Sequence, residues 1–208
     1  KSSLVNLIPR FYDATKGEVL IDGVNVKDYP IETLRRKTGI VMQKAVLFKG
    51  SIRENICWGR KDATDEEIEE ALCMSQSKEF VDQKEGRLDF FITQNGKNLS
   101  GGQKQRLSIA RAMVRKPEIL ILDDSASALD FATDARLRKA IREMEGDMTV
   151  FIVSQRTSSI QHADQIIVLD DGEIVAIGTH EQLLKTCGLY QEIHYSQTSR
   201  SSEGGAGK

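Results

Sequence analysis

The sequence is poor in residues that staple or stiffen a chain: three cysteines, three prolines and one tryptophan among 208 residues. Cys57, Cys73 and Cys187 are an odd, scattered set with no Cys-x-x-Cys pair. That excludes a disulfide scaffold and reads as reduced thiols in a cytosolic compartment. His162, His180 and His194 show no metal-ligand spacing. An excess of charge of one sign is also missing: 29 basic against 31 acidic side chains leave a net charge of −2, which gives no electrostatic footprint for nucleic acid. No apolar run approaches the roughly 20 residues of a membrane span; the longest, 119–122 and 150–153, are strand-sized. No signal-peptide pattern opens the chain, and its start at Lys1 reads as that of a fragment. What remains is a 39% hydrophobic sequence, rich enough for a core and of a length suited to one domain, with room for a subdomain.

Residues 2–8 read as a helix ended by Pro9, 17–23 as a strand closing on a glycine turn, and the stretch after Pro30 as a short helix leading to a strand over 39–43. A predominantly helical stretch follows, about 51–113. Within it Thr64 and Glu67 form a capping box, ahead of an apolar stripe of Ile68, Ala71 and Leu72. Acidic residues 65–70 read as the solvated first turn of that helix, and Trp58 as packing within the lobe. The run EILILDD from Glu118 is continuous and apolar and ends in carboxylates, as expected of a buried parallel strand whose C-terminal end faces a site. An amphipathic helix over 130–145, a buried strand over 149–155 and a third strand over 165–169 come next. Asp170-Asp171-Gly172 is a hairpin turn, Thr179-x-x-Gln182 caps a helix, and residues 199–208 read as a disordered polar tail. Strands alternating with helices predict an α/β fold.

The segment that carries most chemistry is Leu99-Ser100-Gly101-Gly102-Gln103, followed by KQRLSIARAMV at helical period. Adjacent glycines in a first helical turn cost about 1 kcal/mol each relative to alanine. They leave bare backbone N–H groups at the positive end of a helix dipole, capped by Ser100, and so form an anion site suited to phosphate. Arg106 and Arg111 on the same helix read as surface or intradomain ion pairs.

LSGGQ followed by ILILDD resembles the nucleotide-binding domain of an ATP-binding cassette (ABC) transporter of the exporter, multidrug or lipid type, and nearly the whole chain follows that order. The resemblance implies a P-loop NTPase-like parallel sheet core flanked by helices, with an inserted helical lobe and a small β-hairpin region. It places the ATP-binding domain over 1–198. Lys1-Ser2-Ser3 resembles the end of the Walker A phosphate loop, whose glycines would then lie upstream; Lys1 would reach the β- and γ-phosphates, Ser2 would bind Mg²⁺ and Ser3 would touch the α-phosphate. Gln43 resembles the Q-loop glutamine, contacting Mg²⁺ and the attacking water. Asp123 falls at the Walker B carboxylate associated with Mg²⁺, and Asp130 in the D-loop, contacting nucleotide. Ser100, Gly101, Gly102 and Gln103 would complete the ATP site of a second cassette. The stretch 47–56, the loop 93–97 and Gly178-Thr179-His180-Glu181 resemble the exporter pattern, which implies a transmembrane domain fused upstream and a place at the cytoplasmic face of the cell membrane.

Two positions depart from the family. Competent members carry Glu where this chain has Asp124, and a switch histidine where it has Gln155. One methylene fewer draws the carboxylate back by about 1.5 Å, and a misplacement of about 1 Å can cost on the order of 10²-fold in rate. Gln155 can hydrogen-bond a phosphate oxygen but carries neither charge nor proton near neutral pH. With LSGGQ intact, the combination resembles the degenerate-site subunit of a heterodimeric exporter, which implies a non-identical partner cassette. The alternatives are a nucleotide-gated module that does not hydrolyse and a homodimeric exporter ATPase.

Overall fold

A computed structural model describes residues 1–144 and 146–203. Two compact units emerge, residues 2–153 and the segment from Ser154 onward together with Lys1.

In the first unit the elements run α1 (Ser2–Val5), β1 (Leu20–Ile21), β2 (Val24–Asn25), α2 (Ile31–Lys37), β3 (Thr38–Val41), β4 (Gly50–Ser51), α3 (Ile52–Cys57), α4 (Asp65–Met74), α5 (Lys78–Asp82), β5 (Phe91–Ile92), α6 (Gly101–Met113), β6 (Ile119–Asp123), α7 (Phe131–Arg142) and β7 (Thr149–Val153). β3, β6 and β7 form a parallel sheet in the order β3-β6-β7, with Thr38 beside Ile119 and Asp123 beside Val153. β6 is buried along its whole length. Leu120 and Leu122 enter one core cluster, shared with the helices, while Ile119 and Ile121 enter another with Val5, Ile21 and Leu34. Burial on both faces is why this strand reads as an unbroken apolar run rather than an alternating one.

The helices between β3 and β6 are held by local signals. Thr64 and Glu67 close the expected capping box on α4, whose Ile68, Ala71 and Leu72 are buried. Ser51 and Glu54 close another on α3. The acidic turn of α4 faces outward and is paired, Asp65 with Arg53 and Glu67 with Arg60. The antiparallel pair β4–β5 ties the start of α3 to the segment ahead of Leu99.

Several expectations are corrected. α1 ends at Val5 and continues only as turns. β3 ends at Val41, so Gln43 lies in the loop beyond it. The strand expected to be buried over 149–155 is an outer strand: among the described residues β7 pairs only with β6, and Thr149 and Phe151 are exposed. Trp58 is 67% exposed, its ring 4.8 Å from that of Phe48.

The second unit holds α8 (Thr157–Ile160), the antiparallel hairpin β8 (Ile166–Asp170) and β9 (Glu173–Gly178), α9 (His180–Thr186) and α10 (Gly188–Glu203). Asp171 and Gly172 both take positive φ, 43° and 86°, the geometry of the tight hairpin turn that the sequence signals. Thr179 and Gln182 cap α9 as expected. α10 runs to Glu203, and residues 204–208, part of the tail read as disordered, lie outside the described residues.

Candidate functional site

The parallel sheet delivers its chemistry at the C-terminal ends of its strands, where open α/β sheets bind ligands. Asp123 ends β6 and is 4% exposed. Ser2 Oγ, at the start of α1, donates to its Oδ1 at 3.1 Å. Gln43, two residues past β3, donates from Nε2 to Oδ2 of Asp124 at 2.9 Å. Three distant stretches of sequence, at Ser2, at Gln43 and at the consecutive Asp123 and Asp124, are thus joined in two adjacent hydrogen-bonded pairs. A buried carboxylate beside a serine hydroxyl and an amide is a set of hard oxygen donors, and Mg²⁺ suits it.

Asp124 takes φ 47°, the left-handed region, which Asp tolerates better than most residues because its short side chain can bond locally. Its backbone is fixed: its N–H donates to the Val153 carbonyl at 2.9 Å, and its own carbonyl accepts from Ser127 N and Oγ at 3.2 and 2.8 Å.

The LSGGQ segment opens α6. Ser100 Oγ accepts from Gln103 N at 3.2 Å, and Gln103 Oε1 accepts from Ser100 N at 3.0 Å. The sequence reading assigned Ser100 as cap but did not assign Gln103 the reciprocal bond; the S-x-x-Q spacing carries that signal. The two glycines differ. A Cβ on Gly102 would come within 3.2 Å of the Ala128 carbonyl, so its lack of side chain lets α6 approach the loop after β6. A Cβ on Gly101 would meet nothing within 4 Å, so the fold of this chain does not require that glycine. Asp130 caps α7, its Oδ1 accepting from Thr133 N at 2.9 Å and its Oδ2 from Thr133 Oγ1 at 2.8 Å. Those bonds, the backbone one foremost, hold its carboxyl below the usual range.

Of the other sequence candidates, Ser3 is exposed on α1 and Lys1 precedes it. Gln155 belongs to the second unit, where it is exposed and its carbonyl accepts from Gln197 Nε2 at 2.7 Å. Arg106 and Arg111 make no ion pair among the described residues. Arg111 instead donates to the carbonyls of Asn55 and Val46, at 2.8 and 2.9 Å, and to Asn55 Oδ1 at 2.9 Å. Burial pulls its pKa down to about 10. Arg106 donates to the Gln76 carbonyl at 2.6 Å and stacks over Phe80, and burial lowers its pKa too. Both guanidiniums satisfy backbone carbonyls 30 to 65 positions away, a pairing that no local pattern announces.

A sequence profile described as ABC transporter matches residues 1–127. The chain belongs to the ABC transporter family. Relatives of Staphylococcus aureus strains NCTC 8325 and COL, each named "Putative multidrug export ATP-binding/permease protein", are 45% identical over 197 residues, covering 95% of this chain and 34% of theirs. The solved structure of a bacterial Atm1-family ABC exporter with ATP bound superposes with a TM-score of 0.91 at 36% identity, covering 95% of this chain and 35% of that one. The cassette therefore spans about a third of the length of these relatives. Its parallel sheet and helices are those of an ABC P-loop NTPase domain, the fold class read from the sequence. Among the described residues no helix is long and apolar enough to cross a membrane.

Proposed function

We infer that this cassette binds and hydrolyses ATP to drive export through a membrane domain of the same protein, at the cytoplasmic face of the cell membrane. The observation that carries the reading is the meeting of Ser2, Gln43, Asp123 and Asp124 at the ends of β3 and β6. Ser2, Asp123 and Gln43 would hold Mg²⁺, which neutralises phosphate charge when bound. Lys1 and Ser3 would hold the phosphates of ATP. Asp124 orients the attacking water, and Gln155 donates a hydrogen bond to the terminal phosphate. Asp130 contacts nucleotide across the D-loop.

Asp124 is one methylene short for this task, and Gln155 cannot carry a proton, so the cassette's own site turns over slowly. Ser100, Gly101, Gly102 and Gln103 present backbone N–H groups to the nucleotide of a second, non-identical cassette, whose site does most of the hydrolysis. The test is single-turnover ATP hydrolysis by the intact protein co-expressed with its operon neighbour. Removing the neighbour's catalytic glutamate abolishes turnover on this reading, and Asp124→Glu with Gln155→His restores a second active site. Ordinary exporter rates from this protein alone, as a homodimer, contradict it. Loss of all turnover in every combination favours a nucleotide-gated module.

A further inference from the structure

Gln105 is a buried amide that the site as read above does not use. It lies five positions past the Ser100 cap, on α6, and is 1% exposed. Its Nε2 donates to the carbonyl of Met42 at 3.2 Å, across 63 positions of sequence. Met42 immediately precedes Gln43, and Met42 and Gln43 are themselves exposed, so burial of their own side chains does not hold that loop in place. Six positions further along α6 a second side chain reaches the same loop: Arg111 donates to the Val46 carbonyl at 2.9 Å. Asn55, which Arg111 also holds, brackets Phe48 by accepting from its N–H and donating to its carbonyl, both at 2.9 Å. The loop from 42 to 48 is therefore held by backbone struts as well as by Leu47, which is buried in the core, and the strut nearest Gln43 is Gln105.

We propose that Gln105 is a positioning residue: by fixing the Met42 carbonyl it sets the backbone from which Gln43 reaches Asp124 and the metal position. The proposal rests on the reading of Gln43 as a metal-contacting residue. An amide is suited to the role. A buried donor without a partner is costly, so Gln105 keeps the Met42 carbonyl engaged in one arrangement. Because α6 also begins at Ser100, the helix that carries LSGGQ is the one that holds Gln43.

The test is a double-mutant cycle in the intact protein, with the apparent Kd for Mn²⁺ in the presence of ATP read by electron paramagnetic resonance. The variants are Gln105→Met, which keeps length without the donor, Gln43→Ala, and the two combined. Gln105→Met and Gln43→Ala each raise the Kd, by about fivefold for one lost hydrogen bond. The double variant binds no worse than Gln43→Ala alone, because both act through one side chain. Hydrogen exchange without nucleotide provides the second measurement: amides of residues 43–46 exchange faster in Gln105→Met, while those of β6 do not. Multiplying Kd effects, an unchanged Kd in Gln105→Met beside a raised one in Gln43→Ala, or faster exchange throughout β6 overturns the positioning role. An unchanged Kd in Gln43→Ala overturns the metal role of Gln43 instead, and with it the ground for the proposal.

Discussion

Lengthening Asp124 by one methylene should exchange stability for rate. In Asp124→Glu the carboxylate advances by about 1.5 Å, toward the position where family members hold the attacking water. If placement limits the cassette's own site, its hydrolysis rises by up to about 10²-fold. Two structural facts oppose the change. The Asp124 carboxylate already meets Gln43 Nε2 at 2.9 Å, so the longer side chain displaces that amide. The residue also sits at φ 47°, where Glu lacks the local bonding that eases Asp and costs about 1 kcal/mol more. The bonds from Asp124 N to Val153 and from Ser127 to the Asp124 carbonyl hold the turn, so the strain is borne rather than relaxed. For a domain of this size that corresponds to a melting temperature lower by roughly 2–4 °C. The assay pairs single-turnover hydrolysis, with the second cassette's glutamate removed, and thermal denaturation of the same preparation. Asp124→Asn serves as control: it keeps the left-handed preference, melts near wild type and does not hydrolyse. Unchanged hydrolysis in Asp124→Glu refutes the argument from carboxylate reach, and an unchanged or higher melting temperature refutes the argument from strain.

Further expectations concern the surroundings of the site. Gly101→Ala holds or raises the melting temperature, since its Cβ meets nothing within 4 Å and alanine favours helix, yet it lowers ATP turnover of the assembled transporter more than tenfold by crowding the nucleotide of the second cassette. Arg111→Met, which removes three bonds and leaves the Val46 and Asn55 carbonyls unpaired, lowers stability by about 2–4 kcal/mol in urea denaturation; a loss under about 0.5 kcal/mol counts against the loop struts. Asp130 has its pKa lowered by Thr133, so it stabilises the fold above its unfolded value, about pH 4, and ceases to as pH falls through the lowered value. The difference in melting temperature between wild type and Asp130→Ala therefore shrinks as the pH is taken down from about 4; a difference that grows with acidity contradicts it.

Local chemistry made much of this cassette readable in advance. The capping pairs at Thr64 and Thr179, the Ser100 cap, the doubly buried strand β6 and the Asp171-Gly172 turn each need only neighbours in sequence to declare themselves. Ser2, Gln43, Asp123 and Asp124 were nominated by motif order, and parallel strand ends bring them together. The struts were not legible. Gln105, Arg111 and Asn55 look like ordinary polar helix residues until the carbonyls of a distant loop come to rest on them. The outer position of β7 escaped notice for a related reason: an apolar run shows that a strand is hydrophobic, not how many neighbours it pairs with.

The pairing of β3 with β6 has a consequence for how the cassette is made. Lys37 and Glu118, an ion pair beside that ladder, lie 81 positions apart, so the sheet forms only by closing a loop of that length, at an entropic cost of about 4 kcal/mol beyond the constant term. Contacts at such separation are late and slow to form, whereas α3 and α4 carry their own caps and pack on α6 within the loop. On a ribosome the helical lobe is therefore complete before β6 emerges, and its early collapse shortens the effective loop that β6 must close. Cap substitutions at Ser51 or Thr64 would then be felt first as slower folding and lower yield rather than as altered ATP turnover.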